Sequence, residues 1–169
     1  MSVADDDPAA VRGLSAGSPR VVVAGVGSEY RRDDGVGARV AALVAADARG
    51  AHDVSPLGDP LDLLGLWDGA DLAVVIDAMR SGASPGTIRF VELATPEPDV
   101  DLVSTHGIGL PGVLRLSRAV DRAPRRVVAV GIEGADFGRG VGLTPAVEAA
   151  VGMAAGRVVE LIREVQGCV

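Results

Sequence analysis

The sequence predicts an α/β fold: a three-layer sandwich in which a mostly parallel, twisted, five-stranded sheet with one antiparallel strand carries helices on both faces. Three observations lead there. Unbroken apolar, β-branched runs at 20–26, 72–76 and 126–132 have the pattern of strands buried on both faces. Segments with apolar residues at helical spacing lie between them. A strand at 87–93 follows the second run after a turn too short for a parallel crossover, which makes it antiparallel to its partner.

The elements follow in order. Residues 1–18, rich in Asp, Ala, Ser and Gly, are expected to be a disordered leader, and 19–169 a single domain. After the first strand a polar loop runs from Gly27 to Asp34, and Val36, Val40, Leu43 and Val44 mark a helix to about Arg49. His52 to Ser55 is a weak second strand. Pro60 to Trp67 has the pattern of a short helix with Pro in its first turn. The strong strand from Leu72 ends at Asp77. Ser81 to Gly86 is turn chemistry, and Thr87 to Leu93 alternates as a half-exposed strand does. An acidic loop containing proline reaches Thr105, a helix covers 108–122, and Arg126 to Ile132 is the last strand. Thr144-Pro145 then starts a helix to about Val165, with Thr as its N-cap.

Composition removes several classes of function. Sixteen basic against twenty-three acidic residues leave a net charge of -7, the wrong sign for gripping nucleic acid or an anionic membrane. All sixteen basic residues are arginine. A Schiff-base lysine, a Walker A lysine and a Ser-Lys dyad are therefore excluded. Cys168 stands alone beside the C-terminus, so an internal disulfide is excluded too. Two His and one Cys are too few for a zinc site of the usual kind. Nothing resembles a signal peptide or membrane span, and a cytoplasmic location is expected.

Two motifs fail on context. Gly13-Leu14-Ser15-Ala16-Gly17 matches G-x-S-x-G but precedes the first strand, where no nucleophile elbow forms. Gly25-Val26-Gly27 begins a dinucleotide fingerprint whose third glycine is replaced by Tyr30.

What remains lies at the carboxyl ends of the strands, where open α/β sheets bind ligands. Arg31-Arg32-Asp33-Asp34-Gly35 follows the first strand, and Asp77 closes the next strong one. Ser104-Thr105-His106-Gly107 leads into the helix at 108–122, while Glu133 and Asp136 follow the last strand. Two carboxylates and one imidazole form an O, O, N set suited to a borderline divalent ion such as nickel or zinc. Each has a plainer reading. Asp33 and Asp34 stand where acids cap helices, Asp77 ends a strand, and Arg31-Arg32 is either a solvated pair or a steering element for an acidic partner.

The hydrophobic strand into Gly25-Val26-Gly27, then Asp33-Asp34-Gly35-Val36-Gly37, resembles the opening of the hydrogenase maturation proteases. The resemblance continues through Val74-Val75-Ile76-Asp77, Pro85-Gly86-Thr87, Ser104-Thr105-His106-Gly107, Gly131-Ile132-Glu133 and Gly142-Leu143-Thr144-Pro145, spanning about 20–165. It implies an endopeptidase that removes the C-terminal extension of a [NiFe] hydrogenase large-subunit precursor after nickel insertion. It further implies metal contact by Asp34, Asp77 and His106, with catalysis by Asp34 and Asp77. The metal would be nickel carried by the substrate, with zinc or cadmium as surrogates. Ser28, Asp59 and Gly107 are the implied substrate contacts. The sequence departs from the family pattern at Ser28, where the family has Asn, and at Asp34, where it often has Glu. It departs again at Ser55-Pro56-Leu57-Gly58-Asp59, where a D-G-G-T stretch is common. That loop keeps a second reading open, a non-catalytic metal-sensing chaperone of the large subunit; a nucleotide-binding α/β module is a third.

Overall fold

The computed structural model describes residues 17–47, 51, 53–93 and 109–167. His52, His106, Gly107 and Cys168 lie outside them, as does nearly all of the expected leader.

The strands are β1 (Val21–Val26), β2 (Asp53–Leu57), β3 (Leu72–Met79), β4 (Ile88–Glu92) and β5 (Arg126–Glu133). The helices are α1 (Val36–Asp47), a single turn α2 (Leu63–Leu66), α3 (Leu110–Ala119) and α4 (Pro145–Gly167). Short 3-10 turns at Arg32–Gly35 and Pro60–Asp62 precede α1 and α2. The five strands form one sheet in the order β2-β1-β3-β5-β4. Every pairing is parallel except β4 with β5. The predicted α/β architecture is the observed one.

Two details differ from expectation. The antiparallel strand pairs with β5 and not with β3, its neighbour in sequence. β5 is buried along nearly its whole length and needs a strand on each side, whereas β4 alternates as an edge strand does. The turn after β3 therefore steps over one strand position. In addition, β3 runs two residues past Asp77 to Met79, because Asp77 pairs with Gly131 and Met79 with Glu133 in register with β5. Asp77 thus lies inside a strand rather than at its end.

Side-chain alternation sorts the core into two layers. Val21, Val23, Leu72, Val74, Ile76, Val130 and Ile132 pack beneath α1 and α4. Val22, Val26, Ala73, Val75, Val127 and Ala129 pack against Leu63, Trp67, Val113 and Leu114 on the other face. There the Trp67 indole donates to the Ser117 hydroxyl (3.0 Å), which donates in turn to the Val113 carbonyl. With so few aromatic residues, the layers are filled by small branched side chains whose backbones approach closely.

The approach is closest where α1 meets the sheet. A Cβ added to Gly37 would lie 2.5 Å from the carbonyl oxygens of both Ile76 and Val26. One added to Gly25 would overlap the Gly37 carbonyl. Gly25 and Gly37 therefore let the first turn of α1 sit directly on β1 and β3. Gly37→Ala should destabilise the protein by about 2 kcal/mol or more, measured by urea denaturation, since the obstructing atoms are backbone. Gly152→Ala on α4, where a Cβ meets open space, should be neutral or slightly stabilising.

Candidate functional site

The glycine contact sets where the acidic residues go. Directly before α1 the chain turns through Arg32, which adopts a left-handed φ of 52°. This conformation is costly for a residue with a Cβ, so surrounding contacts must hold it. The Arg32 N–H donates to the Gly140 carbonyl and the Asp33 N–H to the Asp136 carbonyl. The turn sends two adjacent carboxylates to different partners.

Asp33 is fully buried and faces the loop between β5 and α4. Its carboxylate accepts from the N–H groups of Ala135, Asp136 and Thr144 and from the Thr144 hydroxyl, at 2.7–2.9 Å. Burial alone would raise its pKa, but these donors outweigh it and hold the carboxyl below 3.8. Asp33 is thus a clamp that ties the turn to the start of α4. Thr144 stands at the start of α4 as expected, with its hydroxyl donating to Asp33.

Asp34 is fully buried as well and turns back toward β1. Its Oδ2 accepts the Ser28 N–H at 2.9 Å. Gly27, with φ at 122°, lets the loop fold against Asp34. Gly37, three residues on, rests on the Ile76 carbonyl, one residue before Asp77. Asp34 and Asp77 consequently share one junction at the carboxyl edge of the sheet.

Asp77 is the anomaly of the molecule. The residue is partly exposed, yet its Oδ1 is sealed from solvent and has no hydrogen-bond partner among the described residues. Burial first, and then the charge of Asp34, push its carboxyl up to about 8, opposed only by the Ala78 N–H. Gly131 stands opposite on β5 and presents no side chain beside it. A buried, unpaired acceptor is a free-energy cost that proteins rarely retain without use. Two carboxyl groups at one junction repel when both are ionised, so near neutral pH Asp77 keeps its proton.

The other expected residues fall as follows. Ser28 contributes its N–H to Asp34. Asp59 follows the edge strand β2, where its Oδ1 accepts the Leu61 N–H at 2.8 Å and caps the 3-10 turn at Pro60–Asp62. His106 and Gly107 lie outside the described residues. The described chain resumes at Gly109, at the start of α3, whose Val113 and Leu114 pack on Val75, on the face of the sheet that Asp77 also faces. Among the described residues no three His, Cys, Asp or Glu side chains form a metal-binding group.

Glu133 ends β5 at the same edge of the sheet. Its buried carboxylate accepts from the Ser81 and Gly82 N–H groups and the Ser81 hydroxyl. Burial works against ionisation, but these donors and the Arg89 charge hold its pKa below 4.5. Glu133 thereby fixes the turn after β3, as Asp33 fixes the one before α1.

Residues 58–161 match the model of a known family, hydrogenase maturation protease. The chain belongs to the hydrogenase maturation protease family. It is 28% identical over 152 residues to the hydrogenase 2 maturation protease of Escherichia coli K12, covering 86% of this chain and 92% of that one. The hydrogenase maturating endopeptidase HybD from E. coli superposes with a TM-score of 0.71 at 26% identity, over 86% of this chain and 93% of that one. The [NiFe] hydrogenase maturation protease HybD from Thermococcus kodakarensis superposes at 0.67 with 23% identity, over 85% and 99%, a likeness of fold. The family is one of peptidases, so the paired acids of this maturation protease lie in a hydrolase. Among the described residues no helix is long and apolar enough to cross a membrane.

Two outcomes follow for stability. Because the Asp77 pKa is raised, the folded protein keeps a proton between about pH 4 and 8 that the unfolded chain has released, so this residue costs stability increasingly as pH rises. Asp77→Asn should therefore be more stable than wild type at pH 8, by about 1 kcal/mol or more, with the margin shrinking toward pH 4 in urea titrations. Asp33→Asn should behave oppositely. Its amide nitrogen would face N–H donors, costing about 2 kcal/mol or more at pH 7. That difference should fade as pH falls below 3.8 and through the lower folded pKa of Asp33.

Proposed function

We propose that this protein is the endopeptidase that removes the C-terminal extension of a [NiFe] hydrogenase large-subunit precursor once nickel has been inserted, with the nickel in the precursor as its recognition element. The observation that carries this reading is the sealed, unpartnered Oδ1 of Asp77 beside the buried carboxyl of Asp34. The family and its E. coli relatives supply the substrate class.

The nickel arrives as part of the substrate and, once seated, supplies a Lewis-acidic anchor beside the scissile carbonyl. Asp34 is held ready for it: the Ser28 N–H fixes one oxygen, and the glycine contact fixes the backbone. Asp77 is held protonated in the free protein near neutral pH and gives up that proton when a cation takes its place. His106 would complete an O, O, N set. Either the ion or a carboxylate of the pair would then activate the attacking water, whose proton passes to the leaving amine. An empty precursor lacks the anchor, so cleavage waits for the metal.

The test is cleavage of purified precursor, with and without nickel, by wild type, Asp34→Ala, Asp77→Asn and His106→Ala. Wild type should cleave only the loaded precursor, and Asp77→Asn should lose at least about a hundredfold in rate while remaining folded. Equal cleavage of the empty precursor would remove the nickel requirement. A wild type that binds the loaded precursor and never cleaves it would favour the metal-sensing chaperone, the reading suggested by the altered 55–59 loop.

A further inference from the structure

The carboxyl edge carries a second feature besides the paired acids. The loop after β1 and the loop after β5 are stitched together: the Gly140 N–H donates to the Tyr30 carbonyl, and the Arg32 N–H to the Gly140 carbonyl. Between them lies an open pocket of about 750 Å³ lined by Tyr30, Arg31, Phe137, Arg139 and Val141 with the backbone of Gly138 and Gly140. Tyr30 and Val141 are two-thirds exposed, at 68% and 67%. The Arg80 guanidinium lies over the Phe137 ring, 4.4 Å from its centre.

The charge here is out of keeping with the rest of the molecule. The chain carries -7 overall, and on other surfaces Arg20, Arg39, Arg126 and Arg163 each have a carboxylate within 4.0 Å. Around this pocket Arg31, Arg80 and Arg139 form no ion pair among the described residues. Arg32 approaches Asp136 only at 3.9 Å, and Asp136 already accepts the Gly138 N–H. Among the described residues, arginines without an ion pair thus stand beside the exposed Tyr30 and Val141, a patch of opposite sign to the net charge of the chain.

We propose that this pocket docks an acidic segment of the substrate protein that carries apolar side chains between its carboxylates, and so holds the precursor while the scissile bond lies at Asp34 and Asp77. A small phosphate-type anion is a poorer fit, because Tyr30, Phe137 and Val141 offer it nothing and the pocket far exceeds its size. The peptide reading uses the exposed features: Arg31 and Arg139 for carboxylates, and the Tyr30 ring and Val141 for apolar side chains. The stitched loops are already in place, so binding does not have to order them. Ownership of the segment rests on the protease reading above; the chemistry of the pocket does not.

The experiment has two arms, so that the two readings fail separately. In the first, amide NMR spectra of the 15N-labelled full chain are titrated with an end-capped hexapeptide of alternating Asp and Leu, with its Asn-for-Asp counterpart, and with inorganic phosphate. The acidic peptide should shift the Gly138, Gly140 and Val141 amides saturably, at least about fivefold more tightly than the Asn peptide, and Arg31→Glu/Arg139→Glu should abolish the shifts. Equal binding of the Asn peptide, or phosphate reproducing the same shifts at the same concentrations, would overturn the proposal. In the second arm, Arg31→Glu/Arg139→Glu should raise KM for nickel-loaded precursor about tenfold with kcat within about twofold, while the control Arg125→Glu/Arg163→Glu changes neither. An unchanged KM overturns the docking role. If wild type cleaves no precursor, the protease reading fails, yet the peptide titration still decides the pocket. Arg31→Gln/Arg139→Gln replaces the charge reversal if circular dichroism shows that variant unfolded.

Discussion

The seating of α1 on the sheet without intervening side chains is the constraint from which the rest of the site follows. Gly37 meets the Val26 and Ile76 carbonyls, and Gly25 meets Gly37, so helix and strands touch backbone to backbone. Most α/β packing keeps a layer of side chains between helix and sheet, and that spacing would hold the residues before α1 away from β3. Here the layer is missing for one turn. The short turn before the helix is therefore pressed against the strand ends, and Asp34 arrives beside Asp77.

The cost of that arrangement is visible in the neighbouring residues. Arg32 sits in a left-handed conformation, and two acids with opposite duties are set side by side. Asp33 is saturated with donors and stays ionised, whereas Asp77 has an oxygen with none and holds its proton to about pH 8. The same side chain thus stays ionised as a clamp or keeps its proton according to how many N–H groups reach it and how deeply it is buried. Glu133 repeats the clamp on the turn after β3. Two saturated carboxylates, Asp33 and Glu133, hold the loops on either side of Asp34 and Asp77.

This division also gives the carboxyl edge two zones. The inner zone is acidic, buried and small. The outer one is built from Tyr30, Arg31 and Arg139 on loops that Asp33 helps to anchor, and it is cationic and open to solvent. One clamp therefore fixes the geometry of both, which ties the place where the chain of a substrate would lie to the place where its metal would be read.

The sequence by itself determined the layered α/β class, the parallel core strands and the family, because these rest on local periodicity and on motifs in a fixed order. It also drew attention to Asp33, Asp34 and Asp77, although Asp77 lies inside β3 and not at its end. It could not say that β4 would pair with β5, since that follows from β5 requiring two neighbours. Nor could it separate Asp33 from Asp34, which are identical in type and adjacent in the chain; only the donors brought from residues 135–144 make Asp33 a clamp, while Asp34 turns toward Ser28. The meaning of Asp77 likewise depended on the fold. Among the described residues no donor from a neighbouring element reaches its Oδ1, and no stretch of sequence records an absent partner.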